Sequence, residues 1–175
     1  MIENALKVFI LEDLENDIKL VKRQVLKVAP QAIFTVAKGK QEFETKINWA
    51  TPDVVLSDYN LPDFNGLRAL LHVKEKMSHV PFVFITGTLN NEEKVAEAIL
   101  KGASGYILKD NLREIPERLP EILSENQARL TLAERQRQSE RRKSLVLQKI
   151  QHLLKEAEAF QGKTEIESAL EEVLQ

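Results

Sequence analysis

Five polar side chains stand where short apolar runs end. Glu12 and Asp13 follow Val8-Phe9-Ile10-Leu11, Asp58 follows Val54-Val55-Leu56-Ser57, Thr86 follows Phe82-Val83-Phe84-Ile85, and Lys109 follows Tyr106-Ile107-Leu108. Three carboxylates within about 4 Å of one another repel by roughly 4 kcal/mol per pair at an effective dielectric of 20. Such a group holds protons or recruits a cation. Oxygen-only ligands suit a hard ion, and Mg²⁺ binds through one or two carboxylates, waters and phosphate oxygens. A hydroxyl and an ammonium beside the acids complete a set suited to phosphoryl transfer. Lysine and metal neutralise the moving group, the hydroxyl donates to one of its oxygens, and a carboxylate attacks. Taken singly, each residue has a plainer reading: Asp13 as a cap of the following helix, Asp58 as a strand-end turn residue. The chemical reading rests on four strand ends each contributing a suitable group.

That convergence needs a particular scaffold. Val54, Val55 and Leu56 are apolar without alternation, the pattern of a strand covered on both faces. Leu61-Pro62-Asp63-Phe64-Asn65-Gly66 then supplies turn formers that end it. Ala32-Ile33-Phe34-Thr35-Val36 completes the set of strand candidates. Helical patterns lie between them: Ile18, Val21, Val25 and Val28; then Leu67, Leu70, Leu71 and Lys74; then Val95, Ala96, Ile99 and Leu100. Strands alternating with helices predict right-handed βαβ units and an α/β, doubly wound, five-stranded parallel sheet of order 2-1-3-4-5. Open sheets of this kind bind ligands at the carboxyl ends of their strands. In this order the first and third strands are neighbours, which brings Glu12, Asp13 and Asp58 to one shallow pocket. Gly87 leaves room above Thr86.

Composition removes several other chemistries. The 175 residues are 43% hydrophobic and 30% charged, with net charge −2, so no overall field draws nucleic acid or an acidic membrane. There are no cysteines, which excludes disulfides, thiolate catalysis and zinc-thiolate sites. His72, His79 and His152 are scattered and form no ligand cluster. No apolar stretch approaches the roughly 20 residues of a membrane helix. Glu3 stands just before the first strand, unlike a signal peptide, and a cytoplasmic location is expected.

From Leu112 onward glycine nearly vanishes and the helical pattern continues. Leu119, Leu123, Leu130, Ala133, Leu147 and Leu154 fall on one heptad-compatible seam, interrupted by Arg137, Glu140 and Ser144. Such a helix spans about 50 Å at 1.5 Å per residue. Nothing else in the chain could cover a stripe that long, so a homodimeric coiled coil is expected over a solvated single helix. Pro116 suits a first turn, whereas Pro120 is expected to kink or break the helix. Gly162 is expected to interrupt it again, with residues 164–174 opening a fresh amphipathic helix behind a capping-box-like start. That ending reads as the front of a further domain. Arg141-Arg142-Lys143 reads as a solvated face, since no aromatic residues interleave with it. His152 lacks the surroundings of a kinase phosphoacceptor.

Residues 4–124 resemble a response-regulator receiver domain of bacterial two-component signalling, similar to the chemotaxis receiver. The residues carrying the resemblance are Leu11-Glu12-Asp13, Ser57-Asp58-Tyr59-Asn60-Leu61-Pro62-Asp63-Phe64-Asn65-Gly66-Leu67, Ile85-Thr86-Gly87 and Gly102-Ala103-Ser104-Gly105-Tyr106-Ile107-Leu108-Lys109. The resemblance implies that Asp58 accepts a phosphoryl group from a histidine kinase, a phosphotransfer protein or a small phosphodonor. It implies Mg²⁺ held by Asp13, Asp58 and the Asn60 backbone carbonyl, with Glu12 acting through water. Thr86 and Tyr106 would form the switch pair, and Lys109 would contact the phosphoryl group. The family usually places a proline after a cis bond where this chain has Asp110. A cis bond before a non-proline costs about 3–4 kcal/mol, so a trans bond or a reshaped loop is expected. Residues 125–161 resemble the connecting helix of multidomain signalling proteins, and 162–175 the opening helix of a GAF-type sensor domain. No helix-turn-helix pattern is present, so direct nucleic-acid binding is not expected, nor is membrane insertion. The expected role is a switch, not an enzyme acting on a diffusible substrate. One alternative is a haloacid-dehalogenase-type phosphatase, whose two aspartates lie two residues apart on the first strand. Here Glu12-Asp13-Leu14-Glu15 occupies that place. A second is a receiver kept unphosphorylated as a dimerisation or docking module.

Overall fold

The computed structural model describes residues 5–87 and 92–173, with the side chains at 92–95, 154 and 157–173 outside that description. Val95, Leu154 and the faces of residues 164–174 therefore fall outside it. Five strands, β1 (Lys7–Leu11), β2 (Ile33–Ala37), β3 (Val54–Ser57), β4 (Phe82–Thr86) and β5 (Gly105–Leu108), alternate with α1 (Glu15–Val25), α2 (Lys40–Ala50), α3 (Gly66–Lys76) and α4 (Glu92–Leu100). A 3-10 helix, Lys109–Glu114, then leads into α5 (Ile115–Val173). All strand pairs are parallel, in the order β2-β1-β3-β4-β5. This is the expected doubly wound topology.

The sheet is covered on both faces because its central strands β3 and β4 are apolar up to their last residues, Ser57 and Thr86. Both β3 and β4 are buried throughout. On one face Ile18, Val21 and Val25 of α1, with Ile115, Leu119 and Ile122 of α5, pack on Val8, Ile10, Val54, Leu56, Val83 and Ile107. On the other, Phe43 and Ile47 of α2 and Ala69, Leu70 and Val73 of α3 meet Phe9, Leu11, Val55, Phe82 and Phe84. The strand residues divide between the faces by the period of two. Each fully buried large side chain contributes roughly 1.5–3 kcal/mol.

Two expectations about the C-terminal helix are corrected. Pro120 sits inside α5 without ending it, and Gly162 does not interrupt it either. Pro120 has no N–H for the Pro116 carbonyl, a loss of about 3 kcal/mol. Ile115, Leu119 and Ile122, at 0%, 1% and 5% exposure, flank it and recover more than that by burial. The expected seam is corrected at its start, where two of its residues pack within the receiver. Leu119 lies in the core of its own chain, with Leu123 partly buried against it. The chain divides into two units, Met1–Leu130 and Thr131–Gln175. In the second unit every side chain from Glu134 to Leu153 is exposed.

Candidate functional site

Each site residue is placed by a strand end. Backbone bonds hold those ends in step: Asp58 N donates to Leu11 O at 2.8 Å and Glu12 N to Ala37 O at 3.0 Å. Glu12 and Asp58 thus arrive on adjacent strands, 3% and 8% exposed. Asp13 does not cap α1. The cap position is Leu14, with no side-chain bond, so the Asp13 carboxylate remains beside the other two. One carboxylate oxygen from each of Glu12, Asp13 and Asp58 lies within 4.8 Å of the others.

The turn after Asp58 is shaped by close approach. Gly66 opens α3 so near the strand that a Cβ there would stand 2.3 Å from the Asp58 carbonyl oxygen. Gly66 N donates to Tyr59 O at 2.9 Å, and the Asn65 side chain caps α3 by accepting from Leu67 N at 2.7 Å. Asn60 N donates to Asp58 Oδ1 at 3.2 Å, which fixes one carboxylate oxygen.

Lys109 binds the cluster together. Its Nζ lies 2.7 Å from Glu12 Oε2, 2.9 Å from Asp58 Oδ2 and 2.7 Å from Asp17 Oδ2. Burial acts to lower the lysine pKa, but the bonds to Asp17, Asp58 and Glu12 outweigh it and raise the value above the ordinary one. The ammonium is therefore charged throughout the physiological range. Burial raises the Glu12 carboxyl above its usual range, against the opposing pull of Lys109 and of the Leu14 N–H, which donates to Oε1 at 3.1 Å. Among the described residues three carboxylates bond this ammonium, and Asp13 lies beside two of them. An all-oxygen donor set with excess negative charge fits a hard divalent cation such as Mg²⁺.

Thr86 ends β4 and is 6% exposed, and its register partner is Leu108, the residue before Lys109. Tyr106 is not drawn in: it is 38% exposed on β5. All peptide bonds of the described residues are trans, and Lys109–Glu114 form a 3-10 helix. Sequence reasoning missed Asp17. Its only signal is a position in the first turn after the acidic pair, and the contact spans 92 residues of chain.

A family model of the response regulator receiver domain matches residues 8–120. The chain belongs to that family. The receiver is 34% identical over 90 residues to the nitrate/nitrite response regulator protein NarL of Escherichia coli K12, covering 50% of this chain and 41% of that protein. It is 32% identical over 108 residues to the DNA-binding transcriptional activator DevR/DosR of Mycobacterium tuberculosis, covering 59% and 48%. The chain thus matches less than half the length of these relatives. Among solved structures, a BeF3-activated DrrB receiver domain superposes with TM-score 0.61 at 22% identity, covering 69% of this chain and 99% of that one. The phosphorylated cyanobacterial phytochrome response regulator RcpA gives 0.59 at 21%, covering 69% and 94%. At these identities the superpositions establish the fold of the receiver and nothing finer. No helix among the described residues is long and apolar enough to cross a membrane.

Proposed function

We propose that Asp58 is the phosphoacceptor of this receiver, loaded by a histidine kinase, a phosphotransfer protein or a small phosphodonor. The observation that supports it most directly is one ammonium, on Lys109, bonded to both Glu12 and Asp58 at the carboxyl edge of the sheet. An Asp58 carboxylate oxygen attacks phosphorus, and the bond from phosphorus to the donor breaks. The leaving group keeps that electron pair. Lys109 offsets the charge arriving on the phosphoryl oxygens, and the Thr86 hydroxyl donates to one of them. Mg²⁺, when held by Asp13, Asp58 and the Asn60 carbonyl with Glu12 through water, neutralises further charge on that group. Tyr106, exposed at rest, turns inward as Thr86 moves toward the phosphate. The protein is a switch and not an enzyme with a diffusible substrate.

The helix α5 carries the output of this switch and pairs with a second copy. Leu147 and Ile150, which share one side of the helix, stay 60% and 47% exposed, with no cover among the described residues. Phosphorylation is expected to change crosslinking along residues 119–154. Identical crosslinking and identical solution mass in the two states would reject that coupling.

Incubation with acetyl phosphate and Mg²⁺, read by intact mass, tests the acceptor. One phosphoryl adduct is expected, absent in Asp58→Asn and suppressed by a chelator. No adduct on the unaltered protein would favour a docking module that is never phosphorylated.

A further inference from the structure

An ammonium has three N–H donors. All three donors of Lys109 are engaged, by Glu12 Oε2 and Asp17 Oδ2 at 2.7 Å and by Asp58 Oδ2 at 2.9 Å. A phosphoryl group on Asp58 brings further strong acceptor oxygens to the same place. Lys109 can reach one of them only by giving up a bond it now makes.

The three partners are not equal. The Glu12 side chain is 3% exposed, that of Asp58 10%, and that of Asp17 22%. Releasing Glu12 would leave a buried carboxylate without its counter-ion, the most costly choice. Asp58 keeps a contact if Oδ1 is the oxygen phosphorylated, since Oδ2 is then the acyl oxygen and still accepts from Lys109. Asp17 sits at the rim on the first turn of α1, where water can take the place of the lysine and the helix N-terminus favours an anion.

We propose that Asp17 is a positioning residue acting through Lys109: it holds the ammonium toward α1 at rest and competes for it with a phosphoryl group on Asp58. This rests on the phosphoacceptor reading of Asp58. Phosphorylation then detaches the first turn of α1 from the strand-end lysine. By linkage, whatever strengthens the Asp17–Lys109 pair weakens equilibrium binding of a phosphoryl mimic at Asp58.

Beryllofluoride, a phosphoryl mimic, is titrated at saturating Mg²⁺ into the unaltered chain, Asp17→Asn, Asp17→Glu, Lys109→Gln and the Asp17→Asn/Lys109→Gln pair. Asp17→Asn is expected to bind about threefold more tightly, the scale of releasing one partly exposed ion pair, with Asp17→Glu close to the unaltered chain. The gain should vanish when Lys109 is Gln. A gain retained there would be simple removal of a nearby charge and would overturn the proposal. So would equal or weaker binding by Asp17→Asn. Should Lys109→Gln bind too weakly to measure, the backbone amides of residues 15–19 decide. Their resonances are expected to shift with beryllofluoride in the unaltered chain and to stay put in Asp17→Asn; shifts of equal size in both would overturn the proposal. Absence of beryllofluoride binding by the unaltered chain would instead remove the phosphoacceptor reading, and this inference with it.

Discussion

Two stretches of α5, its first turns and its middle, are built from similar residues and meet different fates. Near its start Ile115 and Leu119 are 0% and 1% exposed, whereas Leu145 and Leu147 farther along are 65% and 60% exposed. The difference is not hydrophobicity, since leucine appears in both. It is whether a complementary apolar surface exists within the same chain. The first turns of α5 share one buried cluster with Ile85 and Ile107 of the sheet and Ile18, Val21 and Val25 of α1. Between Glu134 and Leu153 every side chain is exposed among the described residues. Helical periodicity announces an apolar stripe, and only the surroundings determine whether that stripe stabilises a fold or stays open to a partner.

The sharpest way to break this comparison is to truncate matched leucine-sized side chains. Ile115→Ala or Leu119→Ala is expected to lower the unfolding free energy by about 2–5 kcal/mol in denaturant titrations. Leu145→Ala or Leu147→Ala, measured on dilute protein, should stay within about 0.5 kcal/mol of the unaltered chain. Similar costs in both stretches would mean that α5 is one uniform element.

A second substitution probes how tightly the first unit is fitted around its site. Gly66→Ala would place a Cβ 2.3 Å from the Asp58 carbonyl oxygen and 3.0 Å from the Phe84 ring. Forcing strand and helix apart there is expected to cost about 1–3 kcal/mol and to slow acetyl phosphate labelling of Asp58. Unchanged labelling would show that the close approach serves packing alone. No such contact constrains the exposed stretch of α5.

Smaller effects sharpen the same contrast. Thr51 ends α2 in the left-handed region at φ 40°, a strained place for a β-branched residue. Thr51→Gly should raise stability by about 1 kcal/mol, read as an increased melting temperature. The smallest expected signal is a pH slope. Burial, helped by Arg129, lowers the pKa of Lys74 to about 8, while its ammonium donates to Val80 O at 2.9 Å. Between about pH 8 and the ordinary lysine value of 10.5 the unfolded chain holds more protons at this position than the folded one. Stability therefore gains a contribution that rises with pH across that window. Lys74→Met should remove that part of the slope, as seen in denaturation midpoints compared at pH 7.5 and 10. An identical slope in both proteins would show that Lys74 is ordinarily solvated.

The strands were legible because apolar runs and turn formers are local signals. Phe82-Val83-Phe84-Ile85 could be little other than a covered strand, and β4 extends it only to Thr86. The acidic pair, Asp58 and Lys109 were legible as a group, because a parallel sheet aligns its strand ends. The course of α5 was less so. Pro120 and Gly162 carry strong local preferences against a helix, yet both lie within it. At Pro120 the burial of Leu119 and Ile122 supplies the reason.

What the amino-acid order determined alone was the alternation of elements, the turn after Asp58 and the kinds of polar group at each strand end. These follow from periods of 2 and 3.6 and from turn chemistry, which act over a few residues. Tertiary structure decided the rest: that Asp17 joins Glu12 and Asp58 around Lys109, that Gly66 has no room for a Cβ, and that Leu119 belongs to its own core. Each depends on segments far apart in the chain meeting at distances of a few ångströms, and no local pattern encodes such a meeting.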